Sequence, residues 1–280
     1  MIILIYRYRK TTLDKQGNIN NTFTSGAKSE IKSMILVIIL ALAVRTFFLE
    51  LFFVPTGSMN ATILEGDYIF STKYNYGYSI YSIPFNPDLF EGRILAQKPE
   101  RGDIIIMRPP HLMHERYIKR LIGLPGDKIE IINDVTYIND VAIDRVEVGK
   151  YIHKNGQKFN KFKETLSNGL SFFSYKLQYT QKNLHTDLSN YGPRIIEDDK
   201  YFFMGDNRDN SGDSRYQLGT VPFRNLIAKG QFIIFSTEEE LWDSNAGFWK
   251  QLSRVGTWIT SIRFNRLFTN LYSSNTDHDK

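Results

Sequence analysis

Ser58 lies in Val54-Pro55-Thr56-Gly57-Ser58-Met59, on a Gly-containing bend that follows a long apolar run. A serine hydroxyl is a poor nucleophile until a base takes its proton, so this position does chemistry only if the chain supplies a base elsewhere. The histidines offer no recognisable arrangement: His111, His114, His153, His185 and His278 all fall in polar loop or tail contexts without a triad signature. His111 and His114 with Glu115 lack both the i,i+4 spacing of a helical metal pair and a clear third ligand, so no metal site is expected. A lysine is the better candidate. Lys119 stands in Arg116-Tyr117-Ile118-Lys119-Arg120-Leu121-Ile122-Gly123, where strand alternation puts Tyr117, Lys119 and Leu121 on one face. On an inward face, burial favours the neutral amine. About 3 to 5 kcal/mol of environmental bias would bring its pKa from about 10.4 to about 7 or 8, where a general base works. Periodicity leaves the opposite orientation equally open, with Lys119 in solvent and Arg120 or aliphatic residues in the core.

A third segment, Gly205-Asp206-Asn207-Arg208-Asp209-Asn210-Ser211-Gly212-Asp213-Ser214-Arg215, places eleven polar or glycine residues directly after the apolar Tyr201–Met204. That density predicts a hydrogen-bonding loop at a strand end. A calcium loop is the rival on composition, since Asp206, Asn207, Asp209 and Asp213 are oxygen ligands. The EF-hand glycine and terminal glutamate are absent from their positions, and two arginines intrude.

These three segments need a rigid frame. The 280 residues, 42% hydrophobic with 16 Tyr and 20 Phe, are enough for one large β-rich domain or two small ones. Short apolar runs follow Gly-Asp turns: Tyr68–Ser71, Ile104–Met107 and Ile129–Ile132. Strands so spaced, without helical periods between them, predict a mainly β fold, an antiparallel barrel or sandwich. The stretch 146–199 is more polar and reads as an inserted second lobe with little legible chemistry. Tyr74–Phe90 reads as an apolar ribbon that suits lipid or an extended peptide, or equally as a hairpin with core aromatics. The tail 242–280 mixes Trp249, Trp258, Phe264 and Phe268 with basic residues, which suits an interfacial segment or a packed C-terminus. Net charge is +5, but the basic residues are scattered, so nucleic-acid binding is not expected. There are no cysteines, which removes disulfides and thiol chemistry.

Residues 34–53 form an apolar run of twenty, interrupted by Arg45, Thr46 and Glu50, and fourteen of them are Leu, Ile, Val or Phe. Their transfer into lipid contributes about −4 to −8 kcal/mol against about +3 for a central charge, which favours a transmembrane anchor over a buried core helix covering Ile35–Val44. Arg7, Arg9, Lys10, Lys15, Lys28 and Lys32 precede it, so residues 1–33 read as a cytoplasmic polar arm. Residues 54–280, with Ser58, then lie outside.

Taken together, and in this order after an apolar anchor, these segments resemble the type I signal peptidases, membrane-anchored bacterial enzymes with a Ser/Lys dyad. The resemblance covers Val54–Met59, Gly66-Asp67, Arg101-Gly102-Asp103, Tyr117–Asp127 and Gly205–Arg215. It implies Ser58 as nucleophile and Lys119 as general base, with Thr56 and the Ser58 N–H as the oxyanion donors. It further implies that Ser211 orients the lysine, that Asp213 and Arg215 support the loop, and that Gly205 lies near the bound peptide. The implied partners are exported preproteins at the outer face of the bacterial inner membrane, cut after small residues, with membrane lipid around the anchor and no metal or cofactor required. One departure is visible: Ala61 stands where the family usually has proline. Two other classes remain in view, an inactive membrane-tethered β domain that binds exported peptides and a soluble self-cleaving Ser/Lys regulator; the intact Ser58, Lys119 and Ser211 set speaks against the first, and the apolar anchor against the second.

Overall fold

The computed structural model describes residues 23–83, 90–153, 155–178, 188–238 and 260–273. It is mainly β, and every pairing between its named strands is antiparallel. The helix α1 (Phe23–Phe47) comes first. The strands follow as β1 (Leu49–Phe53), β2 (Asp67–Thr72), β3 (Ile104–Met107), β4 (Tyr117–Gly123), β5 (Lys128–Ile132), β6 (Val135–Ile138), β7 (Val141–Ala142) and β8 (Asp144–Ile152). Then come β9 (Lys158–Thr165), β10 (Ser171–Leu177), β11 (Tyr191–Ile195), β12 (Lys200–Met204), β13 (Val221–Pro222), β14 (Leu226–Ser236) and β15 (Thr269–Asn270). The curled main sheet runs β1-β2-β14-β3-β4-β12-β13, with β15 on β14. A second sheet is β10-β9-β8 and a third β11-β5-β6-β7.

The apolar run expected to cross the membrane as one helix over 34–53 is divided. The chain leaves helix at Phe47, and Leu49–Phe53 pairs with Asp67–Thr72, Leu49 opposite Thr72 and Phe53 opposite Tyr68. Backbone pairing to a strand placed by the Gly66-Asp67 turn outweighs helical continuation, since alternate residues of β1 can then bury in the sheet core. Among the described residues no helix is long and apolar enough to cross a membrane. The uninterrupted apolar part of α1, Met34–Val44, is eleven residues, which at 1.5 Å each spans only about 16 Å of a hydrocarbon core of about 30 Å.

The core has three main layers. Phe52, Val54, Met59, Ile63 and Ile69 pack with Ile104, Ile106 and Ile118 on one side of the main sheet. Ile105, Met107, Leu121 and Phe203 make a second cluster, and Ile122, Ile129, Phe172 and Phe202 a third that joins the smaller sheets to the main one. The stretch 146–199 therefore shares its core with its surroundings, and residues 46–280 are one compact unit. Its sheet also begins earlier than the sequence suggests, at Asp144. Of the Tyr74–Phe90 ribbon, Tyr76 is core and donates to Asp103 at 2.9 Å, while the Tyr78 backbone bridges to Ile94. Residues 84–89 lie outside the described residues. So do Trp249 and Trp258 in the tail. Phe264 and Phe268 are exposed, and Leu271 packs into the first cluster.

Candidate active site

The β1–β2 connection carries Ser58, the candidate nucleophile. Thr56 is extended (φ −135°, ψ 151°), and Gly57–Met59 form a single 3₁₀ turn closed by Asn60 N–H to Gly57 O at 3.1 Å. Met59 enters the first core cluster with no exposed surface. Burial of that side chain, about 1.5 to 3 kcal/mol, fixes the turn and leaves its neighbour Ser58 facing β4.

On β4 both faces are buried. Lys119 lies opposite Ile105 and is 4% exposed; its Nζ stands 2.6 Å from Ser58 Oγ and 3.1 Å from Ile118 O. Of the two orientations that periodicity left open, the structure takes the inward one. The Tyr117 ring, two residues earlier on the same face, has its centroid 5.3 Å from Nζ. Burial, the dominant influence, lowers the Lys119 pKa from 10.5 to about 8 against the pull of the Asp213 and Asp206 carboxylates. Among the described residues the amine has no ion-pair partner. A neutral amine in contact with a serine hydroxyl can accept its proton.

Ser58 and Lys119 open on a cleft of about 300 Å³. Thr56, Phe52 and Tyr117 line it from one side, Asn210, Gly212 and Gln217 from another. Thr56 is exposed on its wall.

The sequence model of the family described as "Signal peptidase, peptidase S26" matches residues 27–235. The chain belongs to that signal peptidase family. It is 55% identical over 269 residues to a signal peptidase I of Rickettsia massiliae, covering 95% of this chain and 99% of the relative. To a signal peptidase I of Rickettsia bellii it is 56% identical over 257 residues, 91% of this chain and 88% of the relative. A crystal structure of a signal peptidase I from Enterococcus faecalis, 27% identical, covers 48% of this chain and 97% of its own, with a TM-score of 0.30. The chain is thus an enzyme of the signal peptidase I kind, and it removes signal peptides.

In this signal peptidase the 205–215 loop packs against the Ser58 turn. Asn207, read in the sequence only as an oxygen ligand of the rival calcium loop, grips the Ser58 turn: its N–H donates to Ser58 O at 3.1 Å and its Nδ2 to Gly57 O at 3.0 Å. Gly205 packs against the same carbonyl, and a Cβ there would stand 2.4 Å from Ser58 O and 2.3 Å from Ser211 Oγ. Its N–H donates to Asp213 Oδ2 at 2.9 Å. Arg215 forks onto Asp213 through Nε at 2.9 Å and Nη2 at 2.8 Å. Burial pushes the Asp213 pKa up most strongly, but Arg215 and the Gly205 N–H together hold it below the usual carboxylate range. The Ser211 hydroxyl adds to this from a geometry looser than a formed hydrogen bond. Ser211 is brought beside Gly205, but it makes no hydrogen bond to Lys119.

Behind Ser58 and Lys119, Arg120 meets Asp206 in a fork, Nε to Oδ1 at 2.9 Å and Nη2 to Oδ2 at 2.7 Å. Thr62 Oγ1 donates to Asp206 Oδ2 at 2.6 Å, and Arg120 Nη1 to Gly102 O at 3.0 Å. The pair ties the turn after Ser58 to the loop. The dense polar run from Gly205 to Arg215 signalled a loop in the sequence, while Arg120, the partner of Asp206, stood only as an alternative filling of the core.

Proposed function

We propose that this signal peptidase cuts exported preproteins by an acyl-enzyme route in which Ser58 is the nucleophile and Lys119 the general base. The observation that carries the reading is a buried lysine amine, without a carboxylate contact, 2.6 Å from a serine hydroxyl at the head of a cleft. Neutral Lys119 takes the Ser58 proton as Oγ attacks the scissile carbonyl carbon. Ser58 N–H opens a short turn that offers it no acceptor, and it serves with Thr56 Oγ1 to hold the oxyanion. The C–N bond breaks as Lys119 returns the proton to the leaving amine. Water then attacks the ester, giving its proton to Lys119, and Ser58 recovers its hydrogen when the signal-peptide acid departs. Asp213, Arg215 and Gly205 hold the loop, and in this reading the hydroxyl of Ser211, beside Gly205, orients the lysine during the cycle.

The protein acts, in this reading, at the bacterial inner membrane with residues 1–33 in the cytoplasm and the β region outside. Met34–Val44 is apolar on every side of α1, so one partner surface cannot bury it. Arg45 and Lys32 would snorkel to the interfaces. The anchor ends near Phe47, because Leu49–Phe53 belongs to the sheet. Leu51, Phe53, Tyr68, Phe70, Phe232 and Phe235 give β1, β2 and β14 an apolar outer face that suits a lipid surface.

The test is cleavage of a synthetic preprotein by full-length enzyme in detergent. Ser58→Ala and Lys119→Ala should each lower kcat by about 10⁴-fold or more while remaining folded. Near-wild-type turnover in either would overturn the dyad. Protease protection of intact cells checks the orientation, since only the β region should be accessible from outside.

A further inference from the structure

The polar sheet β8–β10, which offered little legible chemistry in the sequence, is the part of the fold that docks the 205–215 loop. Asp206 O accepts from Tyr175 N–H at 2.8 Å, and Arg208 N–H donates to Tyr175 O at 2.9 Å, so the loop lies beside β10 as a short parallel strand. Lys176 pairs with Asp209 at 2.6 Å, and Leu177 N–H donates to the other oxygen of that carboxylate at 2.8 Å. Between these attachments the Arg208 side chain runs inward to Glu164 on β9, Nη2 to Oε2 at 2.5 Å.

Glu164 has no exposed surface. Its other oxygen accepts from Ser174 Oγ at 2.6 Å and faces Arg145 Nε at 3.5 Å. One carboxylate therefore separates a buried guanidinium, that of Arg208, from the half-buried one of Arg145, and the two repel each other without it. Arg208 is also bound at its carbonyl, where Arg215 Nη2 donates at 2.6 Å while the same guanidinium holds Asp213. The residue before it, Asn207, holds the Ser58 and Gly57 carbonyls. A displacement of Arg208 thus moves the loop's two grips on the site at once.

We propose that Glu164 is a positioning residue for peptide cleavage, acting through Arg208 to hold Asn207 and the Arg215–Asp213 pair against the nucleophile turn. The proposal rests on the Ser58–Lys119 reading above. Glu164 touches neither the cleft nor the dyad, so its removal acts on the alignment of reacting groups more than on peptide binding.

The experiment uses full-length enzyme in detergent and measures kcat and KM on a synthetic preprotein, with wild type and Lys119→Ala run in parallel. Activity in Lys119→Ala defeats the dyad itself; activity lost there and kept in the wild type leaves the Glu164 arm to be judged alone. Glu164→Gln should lower kcat about 10- to 100-fold, the scale of an ångström's misplacement, with KM changed less than about threefold. The double variant Glu164→Gln/Arg208→Gln removes both charges, leaves an amide pair in their place, and should recover most of the lost kcat. Arg194→Gln, which breaks an exposed pair with Glu197, should leave kcat unchanged. If Glu164→Gln does not fold, Glu164→Asp withdraws the carboxylate by one methylene and should show the same loss. A folded Glu164 variant with wild-type kcat would overturn the proposal. So would a loss that follows only the folded fraction by circular dichroism, or a double variant no faster than the single.

Discussion

Lys119 and Arg120 are consecutive on β4, 4% and 1% exposed, and the fold treats their charges in opposite ways. Arg120 is met by the Asp206 carboxylate in a fork, with Gly102 O and Thr62 Oγ1 taking further donors. Lys119 receives only a hydroxyl and a carbonyl. One face of the strand is a clamp, in which a satisfied cation binds three segments together. The other is a pocket, in which burial without a carboxylate contact loosens the cation's hold on its proton. The pairing of Arg120 allows the same strand to carry the cost of Lys119: a rigid frame keeps water from reaching the amine.

The largest effect should come from breaking the clamp. Arg120→Met leaves Asp206 buried and unpaired, which costs about 3 to 5 kcal/mol and should lower the melting temperature by about 10 °C. Asp206→Asn in the same background removes the stranded charge and should restore part of that loss. A single variant that melts like wild type would mean that Arg120 is not the structural cation.

Next in size is Ala61, in the turn that links pocket and clamp. Thr62 N–H closes onto Met59 O at 3.0 Å, with Asn60 at φ −56°, ψ 122° and Ala61 at φ +130°. The proline usual in the family is fixed near φ −65° and cannot take that backbone. Ala61→Pro should therefore destabilise by about 3 kcal/mol, read as a shift in denaturant midpoint.

The pocket should behave in the opposite sense. Folding lowers the Lys119 pKa from 10.5 to about 8. Between those values the unfolded chain binds the extra proton, so stability rises with pH there, and below about 8 the full penalty is present. Lys119→Met should thus be inactive yet more stable at pH 7, by about 2 to 3 kcal/mol. The gain should shrink above pH 8 and vanish near 10.5. Wild-type cleavage should rise about tenfold per unit up to pH about 8 and level off above it. A Lys119→Met enzyme less stable than wild type at pH 7 would erase the contrast between the two faces.

How far these features could be read in the sequence follows from the range of the interaction that decides each. Ile104–Met107 and the strand before Gly123 were legible because a Gly-Asp or Gly-Leu-Pro turn and β-branched residues specify them locally. The orientation of Lys119 was not, because alternation separates an inner face from an outer one only when one face meets water, and β4 is buried on both. The break after Phe47 was hidden inside an unbroken apolar run, since only pairing with β2 marks it. Glu164 and Arg208 are 44 residues apart, and each looks like an ordinary surface charge until the sheet brings them together.

The smallest expected effect tests what shapes the pocket itself. The Tyr117 ring can act on Lys119 in two ways with opposite signs. Its quadrupole, at 5.3 Å, favours the ammonium form, while its bulk shields the amine from water and favours the neutral form. Tyr117→Leu keeps an apolar cover and removes the quadrupole. At 5.3 Å, near the outer limit of about 6 Å for this interaction, the cation–π contribution is about 0.5 to 1 kcal/mol, equivalent to about half a pH unit. The acid limb of the cleavage profile should therefore move down by that amount, from about 8, with little change in the plateau. An upward shift would show that the ring works chiefly as a lid, and the pocket would then depend on Tyr117 for its dryness in the way the clamp depends on Asp206 for its charge.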